Sequence, residues 1–290
     1  MKTTAFAPCH ISGFFQPVYH KNIYQTGSRG AGINLQKGVH ATVELSASKI
    51  SEITISSENK PIESPVIFKT IHHLITSGCY QVDISLTSEL PSSQGFGISG
   101  ASALSTAIAL CHLLKKPQND AWKAAHRAEI EMKTGLGDVA AQIHGGIEIR
   151  KKPGIPPWGE IVSIHGSYEI VICILDSKMS TSDVLQDSSK KDRISNLGEA
   201  CTSTLLTNPS VQHFMQLSQK FTRKSGLASS RLLDAMDSTK KCGEASMSML
   251  GNSVFAIGDS NKLLSTLSDY GDVYQSGIDL LGARIIGSYN

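Results

Sequence analysis

One stretch limits what this chain can fold into more than any other. It is Leu90-Pro91-Ser92-Ser93-Gln94-Gly95-Phe96-Gly97-Ile98-Ser99-Gly100-Ala101-Ser102-Ala103, lying between an alternating segment and an Ala- and Leu-rich run. The alternation of Val82, Ile84 and Leu86 over Gln81 to Thr87 predicts a strand, and the run over 99–114 predicts a helix. The glycines therefore fall on a loop that opens a helix. Glycine permits positive φ and close approach, and the helix N-terminus adds partial positive charge, so the loop suits an anion such as phosphate.

Other readings of the same letters fit less well. Gly95-x-Gly97-x-x-Gly100 matches a dinucleotide fingerprint, but the loop starts several residues after its strand, and no clear ribose-binding acid ends a second strand. Gly97-x-Ser99 hints at a nucleophile elbow, yet Ala101 stands where that motif needs glycine, and no acid-then-histidine pair follows in a suitable context. A simple capped helix explains the glycines but not the dense Ser and Ala.

Two carboxylates follow. Over 118–133 a second helix is expected, with Trp122, Ala125, Glu129 and Met132 at helical spacing, so Glu129 lies on the less polar stripe. Arg127 and Glu131 are four apart and can pair on the exposed face. Asp138 follows Gly135-Leu136-Gly137 and precedes a short helix stopped by Gly145-Gly146, which makes it a helix cap or a reacting group. A helix-flank carboxylate at a lobe interface is the bland alternative for Glu129.

Before the loop, strands are expected at Thr3–Ala7, Ala31–Leu35, Ala41–Ser46 and Ile50–Ser56, punctuated by Gly27, Gly30, Gly32 and Gly38, with a helix over Pro65–Ser77. Pro153, Gly154, Pro156, Pro157 and Gly159 shift the composition and suggest a boundary between lobes. Beyond come an apolar strand at 169–175, several helices between about 182 and 240, and a strand, helix, strand, strand order over 253–286. Neither an internal repeat nor a low-complexity segment is evident.

At 290 residues, with 40% apolar and 18% charged residues, the chain reads as an ordinary globular protein. A formal net charge of +2 is too small to point to a nucleic-acid partner, and short clusters such as Arg150-Lys151-Lys152 and Lys190-Lys191 read as solvated surface. Cys9, Cys79, Cys111, Cys173, Cys201 and Cys242 show no zinc-binding spacing and read as free thiols of a reducing compartment. No signal-peptide-like or membrane-length apolar run occurs, so a cytoplasmic protein with no membrane partner is expected.

These segments resemble the GHMP kinases. Gly95-Phe96-Gly97-Ile98-Ser99-Gly100-Ala101 is similar to their second signature, a Gly-Leu-Gly-Ser-Ser loop after a proline, with Phe96 for leucine and Ile98 for the first serine. Gly135-Leu136-Gly137-Asp138-Val139-Ala140-Ala141 looks like their aspartate motif, with glycine for its usual serine. Ala7-Pro8-Cys9-His10-Ile11-Ser12-Gly13-Phe14-Phe15 resembles their opening motif but departs at Cys9 and lacks the usual lysine and Gly-Glu-His ending. It is closer to the opening of the archaeal-type pantoate kinases, Ala-Pro-Gly-His-Ile-Thr-Gly-Phe-Phe. Gly27-Ser28-Arg29-Gly30-Ala31-Gly32 and Lys152-Pro153-Gly154 look like that family too, while Ser246 to Ala256 is a thin version of the last GHMP signature, with one glycine.

The resemblance implies an α+β fold with an N-terminal lobe over 1–155, like the second domain of ribosomal protein S5, and a C-terminal α+β lobe over 156–290 closing an ATP cleft. It implies phosphoryl transfer from Mg-ATP to the terminal hydroxyl of pantoate, for coenzyme A synthesis, with ATP and Mg²⁺ as cofactors. Pro91, Gly95, Gly97, Ser99, Gly100, Ala101 and Ser102 would hold the nucleotide, Ser99 and Glu129 the Mg²⁺, and Asp138 would orient or deprotonate the hydroxyl. Ser28, Arg29 and His10 would meet the substrate, with the Arg29 guanidinium matching its carboxylate two-pronged and Phe14 and Phe15 packing on its methyl groups or on the core. The alternatives are another GHMP kinase, for homoserine, mevalonate or a sugar, and a non-catalytic nucleotide- or RNA-binding module. A homodimer is among the arrangements the resemblance allows.

Overall fold

Two long strands carry the N-terminal half. In the computed structural model, which describes residues 1–175 and 188–289, β1 runs over Lys2–Val18 and β2 over Gly27–Ala47. The glycines expected to punctuate this region lie within β2, which joins two of the expected strands, Ala31–Leu35 and Ala41–Ser46, into one. They are there because the neighbouring strand β1 comes too close for a side chain: a Cβ at Gly38 would sit 2.3 Å from the carbonyl of Ala7, and one at Gly32 would sit 2.3 Å from the ring of His10. Bulges in β1 near Pro8 and Ser12 let both strands bend without losing register.

The bend allows β2 to serve two partners. Its C-terminal half pairs with β5 (Tyr80–Ser88), and its N-terminal half pairs with β6 (Ile147–Lys152), which continues as a hairpin into β7 (Glu160–Ile164). β3 (Glu52–Ser57) runs parallel to β5 through the crossover helix α1 (Pro65–Leu74), and β4 (Lys60–Pro61) closes that edge. At the other edge β12 (Arg284–Tyr289) returns to β1, so the chain's last strand belongs to its first sheet.

This corrects the expected lobe boundary. Residues 153–159 form the turn of the β6–β7 hairpin within the first sheet, not a linker. The change of sheet comes between β7 and β8 (Ile170–Ile174). The second sheet is antiparallel, in the order β11-β8-β10-β9, with β9 at Gly243–Met247, β10 at Ser253–Gly258 and β11 at Asp272–Ser276.

Helices α2 (Ile98–Leu113), α3 (Gln118–Met132) and α4 (Asp138–His144) cover one face of the first sheet. Thirteen of the sixteen residues of α2 are buried, which explains its small, apolar composition. On the C-terminal side lie α5 (Ser188–Thr207), α6 (Val211–Ser225), α7 (Ser230–Ser238) and α8 (Ser260–Leu267). The helical stretch expected from about 182 begins outside the described residues. Ser210, Ser229 and Asp259 cap α6, α7 and α8 by accepting backbone N–H groups, and Gly226 ends α6 in the left-handed region.

Two apolar cores result, one under α1 to α3 and one between the first sheet and the C-terminal helices. Phe14 and Phe15 belong to the second core. Phe14 is fully buried and meets Phe214 and Phe221 at centroid distances of 6.0 and 6.4 Å, so it is not available to a substrate's methyl groups. Truncating it should leave a cavity between the sheet and α6: Phe14→Ala should lower the unfolding free energy in urea by about 3–5 kcal/mol while acceptor selectivity stays as in the wild type.

Candidate active site

Burial and glycine together shape the loop before α2. Leu90 and Phe96 are both almost fully buried and pin its ends, while the backbone N–H of His10 donates to the carbonyl of Phe96 at 2.9 Å. On either side of Phe96, Gly95 and Gly97 adopt φ of +81° and +60°, a region costly for other residues. The C-terminal side holds the loop from behind. A Cβ on Gly95 would lie 2.9 Å from the carbonyl oxygen of Ser248, one on Gly251 would lie 2.1 Å from that of Gln94, and Ser253 donates to Gln94 O at 2.7 Å. The single-glycine segment after Ser246 thus buttresses the loop.

Gly97 caps α2 without a side-chain hydrogen bond, leaving first-turn N–H groups for an external anion. Of the residues expected to hold the nucleotide, Gly95, Gly97 and Ser99 line this turn, and Pro91 is exposed beyond it. Ala101 does not join them: its side chain is fully buried, and its N–H already donates to Gly97 O at 2.9 Å. Gly100 faces α4, where a Cβ would meet Gln142 and Asp138 at 3.1 and 3.3 Å, and Ser102 is 8% exposed.

The two carboxylates converge beside this turn. Glu129 is 3% exposed and accepts hydrogen bonds at 2.6 Å from both Ser99 Oγ and Thr134 Oγ1, all on its Oε1. Gly135 separates it from Asp138: a Cβ there would lie 2.1 Å from Glu129 Oε2 and 3.2 Å from Asp138 Oδ2. Glycine in place of the superfamily's serine thus makes room for two acids. Burial, seconded by the charge of Asp138, pushes the Glu129 carboxyl up to about 7 despite its two hydroxyl donors.

Asp138 has the opposite environment. It opens α4, and its side chain is about a quarter exposed (26%), whereas everything behind it is closed off. Its Oδ1 is 2.8 Å from Nδ1 of His10, whose Nε2 is 2.9 Å from Oε1 of Glu148. Arg150 donates through Nη1 to the same Glu148 oxygen and through Nη2 to Ser12 Oγ at 3.1 Å. Burial alone would raise the Asp138 carboxyl, but the hydrogen bond and charge of His10, with Arg150 behind, hold it below the usual range. Burial likewise pulls the His10 imidazole down, and the two carboxylates outweigh it and raise it.

The residues expected on the substrate divide between two faces. Ser28 shares the Asp138 face: a Cβ on Gly137 would come within 2.1 Å of its Oγ and 3.0 Å of Arg150 Nε. His10 is on that face too, fully buried, with one ring nitrogen against Asp138 and the other against Glu148. Arg29 points to the other side of β2, where it donates to Gln16 Oε1 and to the carbonyl of Lys151, each at 3.1 Å, and lies 3.8 Å from Glu199.

Arg150 corrects the reading of Arg150-Lys151-Lys152 as solvated surface. Lys151 and Lys152 are solvated partners of Glu160, but Arg150 is 1% exposed and its Nε has no partner among the described residues. With Glu148 it is the part of the site that the sequence reading missed. The available signal was Ile147-Glu148-Ile149-Arg150, whose alternation puts both charges on one face of a strand.

Comparisons with known proteins agree with this geometry. The model of the GHMP kinases N terminal domain matches residues 66–146, from α1 to the start of β6. The pantoate kinase of Methanocaldococcus jannaschii is 37% identical over 91% of this chain and 95% of its own, and that of Thermococcus kodakarensis is 32% identical over 93% of each. A solved phosphotransferase related to the CoA biosynthesis pathway superposes with a TM-score of 0.91 at 29% identity, covering 98% of both chains. With its glycine loop, paired acids and two-sheet fold, the chain belongs to the pantoate kinase family of GHMP kinases, enzymes that use ATP.

Proposed function

We propose that this chain transfers the γ-phosphoryl group of Mg-ATP to the terminal hydroxyl of pantoate, in the cytoplasm and in service of coenzyme A synthesis. The observation that carries the reading is the placement of an ionised Asp138 directly beside the glycine turn: a Cβ on Gly97 would lie 3.1 Å from Asp138 Oδ1. An acceptor hydroxyl on Asp138 and a phosphate on the α2 N-terminus would therefore be neighbours, and alignment is most of what phosphoryl transfer asks of a protein.

The donor set suits a hard cation. Ser99 Oγ and the Glu129 carboxylate are oxygen ligands side by side, and among the described residues no group of three or more His, Cys, Asp or Glu is arranged to hold a metal alone. Mg²⁺ would take its remaining ligands from phosphate and water, as it favours, and would supply charge neutralisation on the phosphates. Asp138 receives and orients the hydroxyl. At the other end of the acceptor, Ser28 and the free Nε of Arg150 present donors to a carboxylate. Arg29, committed elsewhere, drops out of that role.

Three measurements follow from these assignments. Asp138→Asn keeps the shape but not the charge and should lower kcat by about 10²-fold or more with nucleotide affinity retained. Near-wild-type turnover would reduce Asp138 to a helix cap.

In an ATP-consumption panel the wild type should use pantoate far better than its lactone, homoserine, mevalonate or galactose. Ser28→Ala should raise the pantoate KM, and Arg29→Met should leave it within about threefold, since only a group touching substrate bears on uniform binding. Efficient use of the lactone would remove the carboxylate requirement.

Glu129→Gln tests the cost of the metal ligand. Because folding raises this carboxyl from 4.5 to about 7, ionised Glu129 destabilises the fold by about 3 kcal/mol once the pH exceeds both values, and not at all below both. The amide oxygen can still accept from Ser99 and Thr134, so the substitution should raise Tm by several degrees at pH 8, do little at pH 4, and abolish most activity. A Tm gain independent of pH would contradict this origin.

A further inference from the structure

We propose that Glu148 is a positioning residue for phosphoryl transfer, holding the Asp138 carboxylate on the acceptor hydroxyl through the ring of His10. The inference rests on the kinase reading above and extends it to a side chain that no substrate can touch, since Glu148 and His10 are both fully buried. Asp138 is the end of the chain of contacts that reaches solvent.

The geometry fixes the charge of the ring. Nδ1 stands 2.8 Å from one carboxylate oxygen and Nε2 stands 2.9 Å from another, and an unprotonated nitrogen would turn its lone pair on an acceptor in either place. Both nitrogens therefore carry protons. Arg150 Nη1 also lies 3.2 Å from Nε2, but two donors cannot bond each other, and Glu148 Oε1 accepts from both. The groups facing the ring are then Asp138 from α4 and Glu148 and Arg150 from β6, with Glu129 of α3 beyond Asp138. Two anions balance two cations, the condition under which charges can be buried together.

Glu148 matters because Asp138 alone would hold the ring by one edge. A second carboxylate at the opposite nitrogen sets both the orientation of the imidazole and its protonation, as the outer partner of a buried histidine commonly does. The fold keeps space for this pair: at Gly32 a Cβ would lie 2.3 Å from His10 Nε2 and 2.9 Å from Glu148 Oε1. No proton leaves the chain in this role. The imidazolium stays an imidazolium, and Asp138 is held ionised and aimed, ready to take the hydroxyl's proton as the phosphoryl group passes to its oxygen.

The test is Glu148→Gln, whose amide oxygen can still accept from Nε2 while the charge is gone. kcat should fall by about 10–100-fold with the ATP KM within about twofold, and the acid limb of the kcat profile should move to higher pH as His10 gives up its proton more readily and Asp138 loses its cation. A folded variant with wild-type kcat and profile overturns the proposal, as does a loss confined to ATP binding.

If the variant does not fold, the wild-type protein decides by ¹⁵N NMR of its histidines, with His10→Gln identifying the signals. Protons on both ring nitrogens at pH 8 are expected, and a neutral tautomer there overturns the proposal. A wild type that phosphorylates no hydroxy acid would sink the kinase reading instead, and an NMR-visible imidazolium would then belong to the fold alone.

Discussion

A buried imidazole between two carboxylates dictates much of what surrounds it. His10 lies on β1, Asp138 opens α4 and Glu148 lies on β6, so the contacts at 2.8 and 2.9 Å tie three elements distant in sequence. Charges removed from water must be balanced, which is why Arg150 is buried with them, one of its nitrogens on Glu148 and another on Ser12. The crowding extends to residues without side chains. Gly32, Gly135 and Gly137 stand where a Cβ would strike His10, Glu129 or Ser28.

From this follows the contrast between the acids at the open end. Glu129 sees burial and a neighbouring carboxylate, Asp138 sees an imidazolium, and their pKa values are driven apart. Separation of this kind lets two like groups do different work, one able to shed its charge and the other held ionised. The glycine loop completes the arrangement because it is held from behind: β1 holds it through Phe96 and Ser253 of β10 holds it through Gln94. Both lobes thus meet at the loop.

Local signals in the sequence carried the loop, α2, α3 and the two acids, since periodicity, caps and glycine spacing are properties of neighbouring residues. The final strand, helix, strand, strand order was legible for the same reason. What depended on long-range pairing was not. Two expected strands proved to be one because the pairing of β2 with β1 is invisible to a local pattern, and the turn at 153–159 read as a boundary because β6 and β7 pair across it. Arg29 looked free to clamp a carboxylate, but the residues that occupy it, Gln16, Lys151 and Glu199, come from three other elements. Arg150 was read with the two lysines that follow it and not with Glu148, the strand residue whose face it shares.

In the proposed reaction one anion, Asp138, stands between a phosphate on the α2 N-terminus and an acceptor held from the Ser28 and Arg150 side. A crystal structure with pantoate, Mg²⁺ and a non-hydrolysable ATP analogue puts that arrangement to the test. The γ-phosphate should lie over Gly95 to Ser99, the terminal hydroxyl within hydrogen-bonding distance of Asp138, and the carboxylate toward Ser28. A hydroxyl turned away from Asp138, or a nucleotide bound off the glycine turn, would contradict it.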